Sequence, residues 1–247
     1  MLVDKMPIAS FQTPPRPPRG SAIRLPPAPP GAQVFNIRVA LSSGDHADSG
    51  ALVRRMYAWR GYACDNSAVA SPDKVTLYAE TEGELVGTMS LCFDQGDALP
   101  ADENFRDRLQ ILRRQGRRLV EPSRLAIDPG MCKRVFASLI HISYLYAHRL
   151  QGFTDYVIEV NPRHVAFYQR MLGFAGFGTE RACSRVGAPA VLLRLPLETM
   201  GAHIRRWGGS FEQHPGERSF YPYFFPVRDE PDISARLAAL CSGGERA

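Results

Sequence analysis

The chain has no run of 18 or more uninterrupted apolar residues, so a membrane-spanning helix is not expected. Its first residues lack a basic segment followed by an apolar block, so a secretory leader is not expected either. CxxC pairs are missing. Cys64, Cys92, Cys132, Cys183 and Cys241 are scattered and odd in number, which argues for reduced thiols in the cytoplasm and against a disulfide framework or zinc site. His141 and His148 share a helix face only loosely and His164 lies on another segment, so satisfied core or surface histidines are expected and no metal. Excess charge is also small. The net charge is +5, and residues 1–33 supply +3 of it through Lys5, Arg16, Arg19 and Arg24 against Asp4. The +2 left for the body is too small to imply a nucleic-acid partner, and none is expected.

Apolar residues make up 45% of 247 residues, enough for one large core with extensions. Residues 1–33 hold nine of the 20 prolines, in clusters such as Pro14-Pro15-Arg16-Pro17-Pro18. Proline fixes φ and donates no N–H, so this stretch is expected to be disordered or draped on the body. Residues 34–198 alternate strand and helix patterns. Strands are expected at 34–41, 74–80, 85–93, 119–127, 154–160, 174–180 and 190–195, with a hairpin across Thr81-Glu82-Gly83-Glu84. Helices are expected at 49–60, 102–114 and 132–150, and from Pro162 to Met171 with Asn161 as N-cap and Gly173 as terminator. Residues 199–247 read as a polar, aromatic-containing extension with a helix near 232–240. The class is mixed α/β.

Two segments carry the chemistry: Glu121-Pro-Ser-Arg-Leu-Ala-Ile-Asp128 and Glu159-Val-Asn-Pro-Arg-His-Val-Ala-Phe-Tyr-Gln-Arg-Met-Leu-Gly-Phe174. Strand alternation sends Glu121 and Arg124 to opposite faces unless the strand bulges. Arg124 can grip a carboxylate bidentately or organise its surroundings through an ion pair. Arg106, Arg108, Arg113, Arg114, Arg117 and Arg118 fall within thirteen residues, either as a solvated helix face or as a dock for an acidic partner. Cys132 near a helix start has no neighbouring base that would make it a nucleophile.

These segments resemble the acyl-transfer core of the GNAT (N-acetyltransferase) superfamily. The Glu-x-Ser-Arg element is more narrowly similar to the long-chain N-acyl amino acid synthases and the related acyl-homoserine-lactone synthases. Gly187-Ala-Pro-Ala-Val-Leu-Leu193 adds to the likeness, and Arg55-Met-Tyr-Ala-Trp59, Asp65 and Gly87 fit it loosely. The resemblance implies a GNAT-like, mostly antiparallel twisted sheet with flanking helices and a bulged, splayed central strand pair. It implies condensation of a fatty acyl group, delivered by acyl carrier protein, with the α-amine of an amino acid. The acyl-phosphopantetheine thioester would be a co-substrate, with acyl-CoA as the other donor, and no further cofactor is implied. It also leaves room for peripheral membrane association of product or enzyme.

By the same resemblance Glu121 would act as base, Tyr168 would protonate the leaving thiolate, and Arg124 would orient the substrate. Arg55, Tyr57, Trp59, Ser123, Ala126, Ile127, Glu159, Asn161, His164 and Phe167 would line the substrate site. A glycine at position 87 would let a ligand or second backbone approach. The chain departs from acetyl-CoA enzymes at Asp128-Pro-Gly-Met-Cys-Lys-Arg134, where a glycine-rich pyrophosphate loop is lost. That loss favours a carrier-protein donor, which Arg113, Arg114, Arg117, Arg118, Lys133 and Arg134 would dock. Three alternatives stay open: an acyl-homoserine-lactone synthase, an acetyl-CoA-dependent acetyltransferase, and a non-catalytic GNAT-fold binding module.

Overall fold

The computed structural model describes residues 22–23, 25–26, 33–59, 73–96, 99–183 and 187–243. The nominated Asp65 and nearly all of the proline-rich stretch lie outside those residues, as does the side chain of Trp59. From the stretch before residue 33, Ile23 is fully buried and bridges Ile37 backbone to backbone.

The elements run β1 (Asn36–Val39), α1 (Ser43–Trp59), β2 (Lys74–Thr81), β3 (Glu84–Phe93), α2 (Asp102–Arg114) and β4 (Leu119–Ile127). There follow α3 (Lys133–Tyr144), β5 (Asp155–Val160), α4 (Val165–Leu172), β6 (Ala175–Gly176), β7 (Arg181–Cys183), β8 (Ala188–Pro196), α5 (Leu197–Trp207) and α6 (Glu230–Gly243). The eight strands form one sheet in the order β1-β2-β3-β4-β5-β8-β6, with β7 paired to β8. Among the described residues only the β4–β5 pair is parallel. Glu82 and Gly83, with φ of 49° and 81°, close the expected β2–β3 hairpin in the left-handed turn that matches strand twist.

One face of the sheet packs on α3 and α5 in the main core, which includes Leu77, Met89, Leu91, Val120, Leu139, Tyr156 and Met200. The other face carries α2, through Phe105, Leu109 and Leu112, and α1, through Leu52, Val53 and Met56 against Ala126.

Several local expectations change. α1 begins six residues before the expected Ser49, because Ser42 and Asp45 form a capping box. Ser42 Oγ accepts from Asp45 N at 3.1 Å and Asp45 Oδ2 accepts from Ser42 N at 3.2 Å. The helix expected over 132–150 becomes π-helical at Leu145–Leu150. The strand expected at 174–180 pairs only at Ala175–Gly176, since Phe177 and Gly178 both donate to Leu192 O and Gly178 lies against the Phe105 ring. Residues beyond 198 do more than extend the body. α5 buries Leu197, Met200, Gly201 and Ile204, a helical stripe, and Phe220, Tyr221, Phe224 and Phe225 join the main core. His141 anchors this segment from within α3. It is fully buried, Nδ1 accepts from Phe225 N at 3.0 Å, and Nε2 lies 3.2 Å from Glu230.

Candidate active site

Parallel strands β4 and β5 pair at only two positions, Leu119 with Asp155 and Val120 with Tyr156. Past that point they separate and open a V-shaped cleft. The cause lies on the opposite edge of β4. Thr88 faces Ala126 and Ser90 faces Ser123, so Met89 opposes both Arg124 and Leu125. Arg124 takes φ of 53°, a conformation costly for a residue with a Cβ. This β-bulge bends the strand and resets its alternation. Arg124 therefore lines a pocket with Thr76, Thr88 and Ser90 on the α1 face. Glu121 opposes Cys92 on that same face. Burial pushes the Cys92 thiol up, and both Glu121 and Arg124 act on it electrostatically.

The cleft encloses a cavity of about 120 Å³. Its polar mouth has Tyr57 from α1, Ser123 and Arg124 from the bulge, Glu159 from β5 and Tyr168 from α4. Its far wall is apolar: Met89, Ile140, Tyr156, Ile158, Leu172, Phe174, Leu195 and Met200. Asn104 Nδ2, in the first turn of α2, donates to Glu159 Oε1 at 2.6 Å. Tyr168 is half-buried and packs edge-on to Phe167 and Phe174, at 5.2 and 5.9 Å between centroids. A carboxylate, a phenol and a cation thus converge where a polar opening meets an apolar recess.

The family model described as N-acyl amino acid synthase FeeM matches residues 48–196, more than half of the chain. The chain belongs to the N-acyl amino acid synthase FeeM family. The solved structure of FeeM, an N-acyl amino acid synthase from uncultured soil microbes, superposes with a TM-score of 0.63 at 26% identity, over 69% of this chain and 96% of that one. A putative N-acetyltransferase from Lactobacillus plantarum gives 0.49 at 15% identity, over 67% and 99%. The AHL synthase LasI gives 0.46 at 14% identity, over 67% and 91%. No curated protein sequence matches the chain. The fold is that of the FeeM structure, and the chain is an N-acyltransferase.

Within this FeeM-family enzyme the nominated residues separate. Tyr57, Ser123, Arg124, Glu159 and Tyr168 line the cleft. Glu121, nominated as base, is not among the lining residues; it is 4% exposed and its Oε2 accepts from Ala101 N at 2.8 Å, holding the start of α2. Arg55 reaches away to Asp128 at 3.0 Å. Ala126 packs on α1, and Ile127 packs on the main core. Asn161 caps the turn after β5, accepting from Arg163 N at 3.2 Å and donating to Pro189 O at 3.2 Å. His164 accepts from Arg163 Nε, and the exposed Phe167 meets the buried Phe136 and Phe220 edge-on. Gly87 makes room for α3 and not for a ligand: a Cβ there would lie 3.2 Å from Val135 and Leu139. Asn104, Ile140 and Met200 were not foreseen, because they approach the cleft from helices outside the two motif segments.

The arginine cluster is also divided. Arg113 is 12% exposed and bonds Asp94 at 2.7 Å and Asp102 at 2.6 Å. Arg117 bonds the fully buried Asp155 at 2.5 Å, and Arg194 meets the same carboxylate at 2.7 Å. Buried carboxylates need such counter-charges, so these guanidinium groups serve the interior and not a docking face. Arg118 donates to Gln151 O and stacks on Phe153. Arg114 and Lys133 are exposed, while Arg134 is half-buried. Among the described residues no group of three or more His, Cys, Asp or Glu could hold a metal ion, and no helix is long and apolar enough to cross a membrane.

Proposed function

We propose that this enzyme condenses a fatty acyl group, delivered as a carrier-protein thioester, with the α-amine of an amino acid. The observation that carries the reading is the β4–β5 cleft, polar at its mouth and apolar at its far wall. Such a recess suits an acyl chain, each buried CH₂ contributing about 0.8 kcal/mol. The backbone of Ser123 to Leu125, drawn out of the β5 ladder, is where N–H groups can meet the thioester carbonyl and the oxyanion it becomes. The amine nitrogen attacks that carbon, and the C–S bond breaks. Glu159 takes the amine proton and Tyr168 gives one to the departing thiolate. Glu121 is a positioning residue: it holds Ala101, and through α2 it sets Asn104 against Glu159.

The donor reading rests on the loop before α3. Gly130 N is taken by Asp128 Oδ1 at 3.2 Å and Cys132 N by Gln33 Oε1 at 3.3 Å. Two amides that could cradle a pyrophosphate are therefore occupied within the chain. A carrier protein brings one phosphate and an acidic surface, which exposed Arg114 and Lys133 can meet.

Mass spectrometry of lipid extracts from cells expressing the chain, beside Glu159→Gln and Tyr168→Phe variants, tests the reaction. New N-acyl amino acids that fade in both variants are expected. A folded enzyme that yields none in cells, and in vitro acetylates amines from acetyl-CoA, would overturn the reading.

A further inference from the structure

Arg181, on β7, contacts α2 in three places. Its Nη1 donates to Asn104 O at 2.5 Å, and Nη1 and Nη2 grip the Asp107 carboxylate at 2.7 and 2.9 Å. The guanidinium also lies over the Phe105 ring, 4.9 Å from its centroid. Those hydrogen bonds hold the Asp107 carboxyl down at about 2, so the pair stays charged at any working pH. The three contacts bracket an irregularity. Phe105 has φ of −129° and ψ of 25°, outside the helical region, so α2 is kinked just after its first turn. Asn104 lies before the kink, Phe105 at it and Asp107 after it. Gly178 lets the segment ahead of β7 press on the same ring, since a Cβ there would lie 3.0 Å from it.

We propose that Arg181 is a positioning residue for Glu159 and acts through Asn104. The proposal rests on the reading of Glu159 as the base and adds what holds that base in place. An unbroken ladder of backbone bonds fixes each helical residue against the next turn. At a kink that constraint lapses, and the first turn needs other anchors. Asn104 has one at each end: Arg181 on its carbonyl, and Glu159 on its side-chain amide at 2.6 Å. The sheet sets the span between them. Leu192 of β8 faces Glu159, and Ala190 of β8 faces Arg181. Paired residues share a face, and 190 and 192 are two apart, so Arg181 and Glu159 both rise on the face that α2 covers. An ion pair to the exposed Asp107 contributes little stability by itself. Its effect is on geometry, because a reacting group displaced by about 1 Å can lose about 10²-fold in rate.

The test is a double-mutant cycle on kcat. Arg181→Met is made in the parent, in Glu159→Gln and in Asn104→Ala, with single-turnover rates, both KM values and thermal melts for each. Expected is a kcat about tenfold lower for Arg181→Met in the parent, with the KM for donor and for amino acid within about twofold. In Glu159→Gln and in Asn104→Ala the same change should cost less than about twofold, because the path it acts through is already broken. Asp107→Asn, a change at an exposed side chain, should lower kcat by a smaller factor and be equally silent in the two backgrounds. It carries the cycle if Arg181→Met fails to fold. Equal losses in all three backgrounds, a raised KM in place of a lowered kcat, or an unchanged kcat in folded Arg181→Met overturns the proposal and leaves Glu159 as base. If Glu159→Gln turns over as fast as the parent, the base reading fails and the proposal falls with it.

Discussion

Asn104 donates to Glu159 across the gap between α2 and β5 at 2.6 Å, and so fixes the carboxylate that faces the cleft mouth. Three residues earlier, Ala101 N donates to Glu121 on β4. The first turn of α2 therefore joins two acidic residues of different standing, one at the cleft and one behind it.

That difference predicts opposite phenotypes. Glu159→Gln should lower kcat by about 10²–10⁴ and leave the melting temperature nearly unchanged, because the change removes the half-buried carboxylate proposed as base but little packing. Glu121→Gln should cost about 1.5–3 kcal/mol of stability by weakening a buried bond to a charged acceptor, with a smaller loss of kcat. Denaturant titration beside steady-state rates separates them. The reverse pattern would return the base to Glu121.

The apolar wall predicts chain-length control. Met200 lies on that wall and is fully buried. Met200→Phe adds bulk to the recess and should shift products toward shorter acyl chains, read as a change in product masses. An unchanged distribution would place the acyl chain elsewhere.

Charge reversal should discriminate within the arginine cluster. Arg114→Glu and Lys133→Glu should raise the KM for acyl carrier protein several-fold, more so at low salt, with fold and kcat intact. Arg113→Glu should instead destabilise the protein by about 3–5 kcal/mol or more, since it leaves Asp94 and Asp102 buried beside a like charge. Circular dichroism and donor kinetics on the same preparations provide the check.

His141 predicts a pH dependence. Burial holds its pKa below the ordinary value, and the opposing pull of Glu230 does not offset that. Its Nδ1 must stay unprotonated to accept from Phe225 N. The unfolded chain, with a histidine pKa near 6.5, takes up the proton more readily. The stability contribution is thus complete above about pH 6.5 and declines as the pH falls below it. Urea midpoints at pH 7.5 and 5.5 should differ more for the parent than for His141→Asn; equal differences would remove His141 as the cause.

Much of the fold was legible in the chain because local patterns decide it. α2 and β4 span the expected residues, and the β2–β3 hairpin is closed by Glu82-Gly83 as its turn chemistry requires. Asn161, Pro162 and Gly173 bound the helix after β5 as residue type dictates. The Ser42/Asp45 capping box and the Leu197, Met200, Gly201, Ile204 stripe were equally local and equally readable, but both lie in segments that lack strong periodicity around them. The acyl-transfer motifs also nominated Ser123, Arg124, Glu159 and Tyr168, which line the cleft, and Glu121, which does not.

By itself, then, the sequence determined the strand and helix order from β1 to β6, the position of the cleft strands and the class of reaction. Only the tertiary structure decided which carboxylate faces the cleft and which arginines remain at the surface. It also decided which residues from α1, α3 and α5 close the recess. Those outcomes depend on the bulge at Arg124, which moves side chains between faces, and on buried Asp102 and Asp155, which bind arginines distant in the chain. Such pairings are set by long-range burial and charge, and no single stretch of residues encodes them.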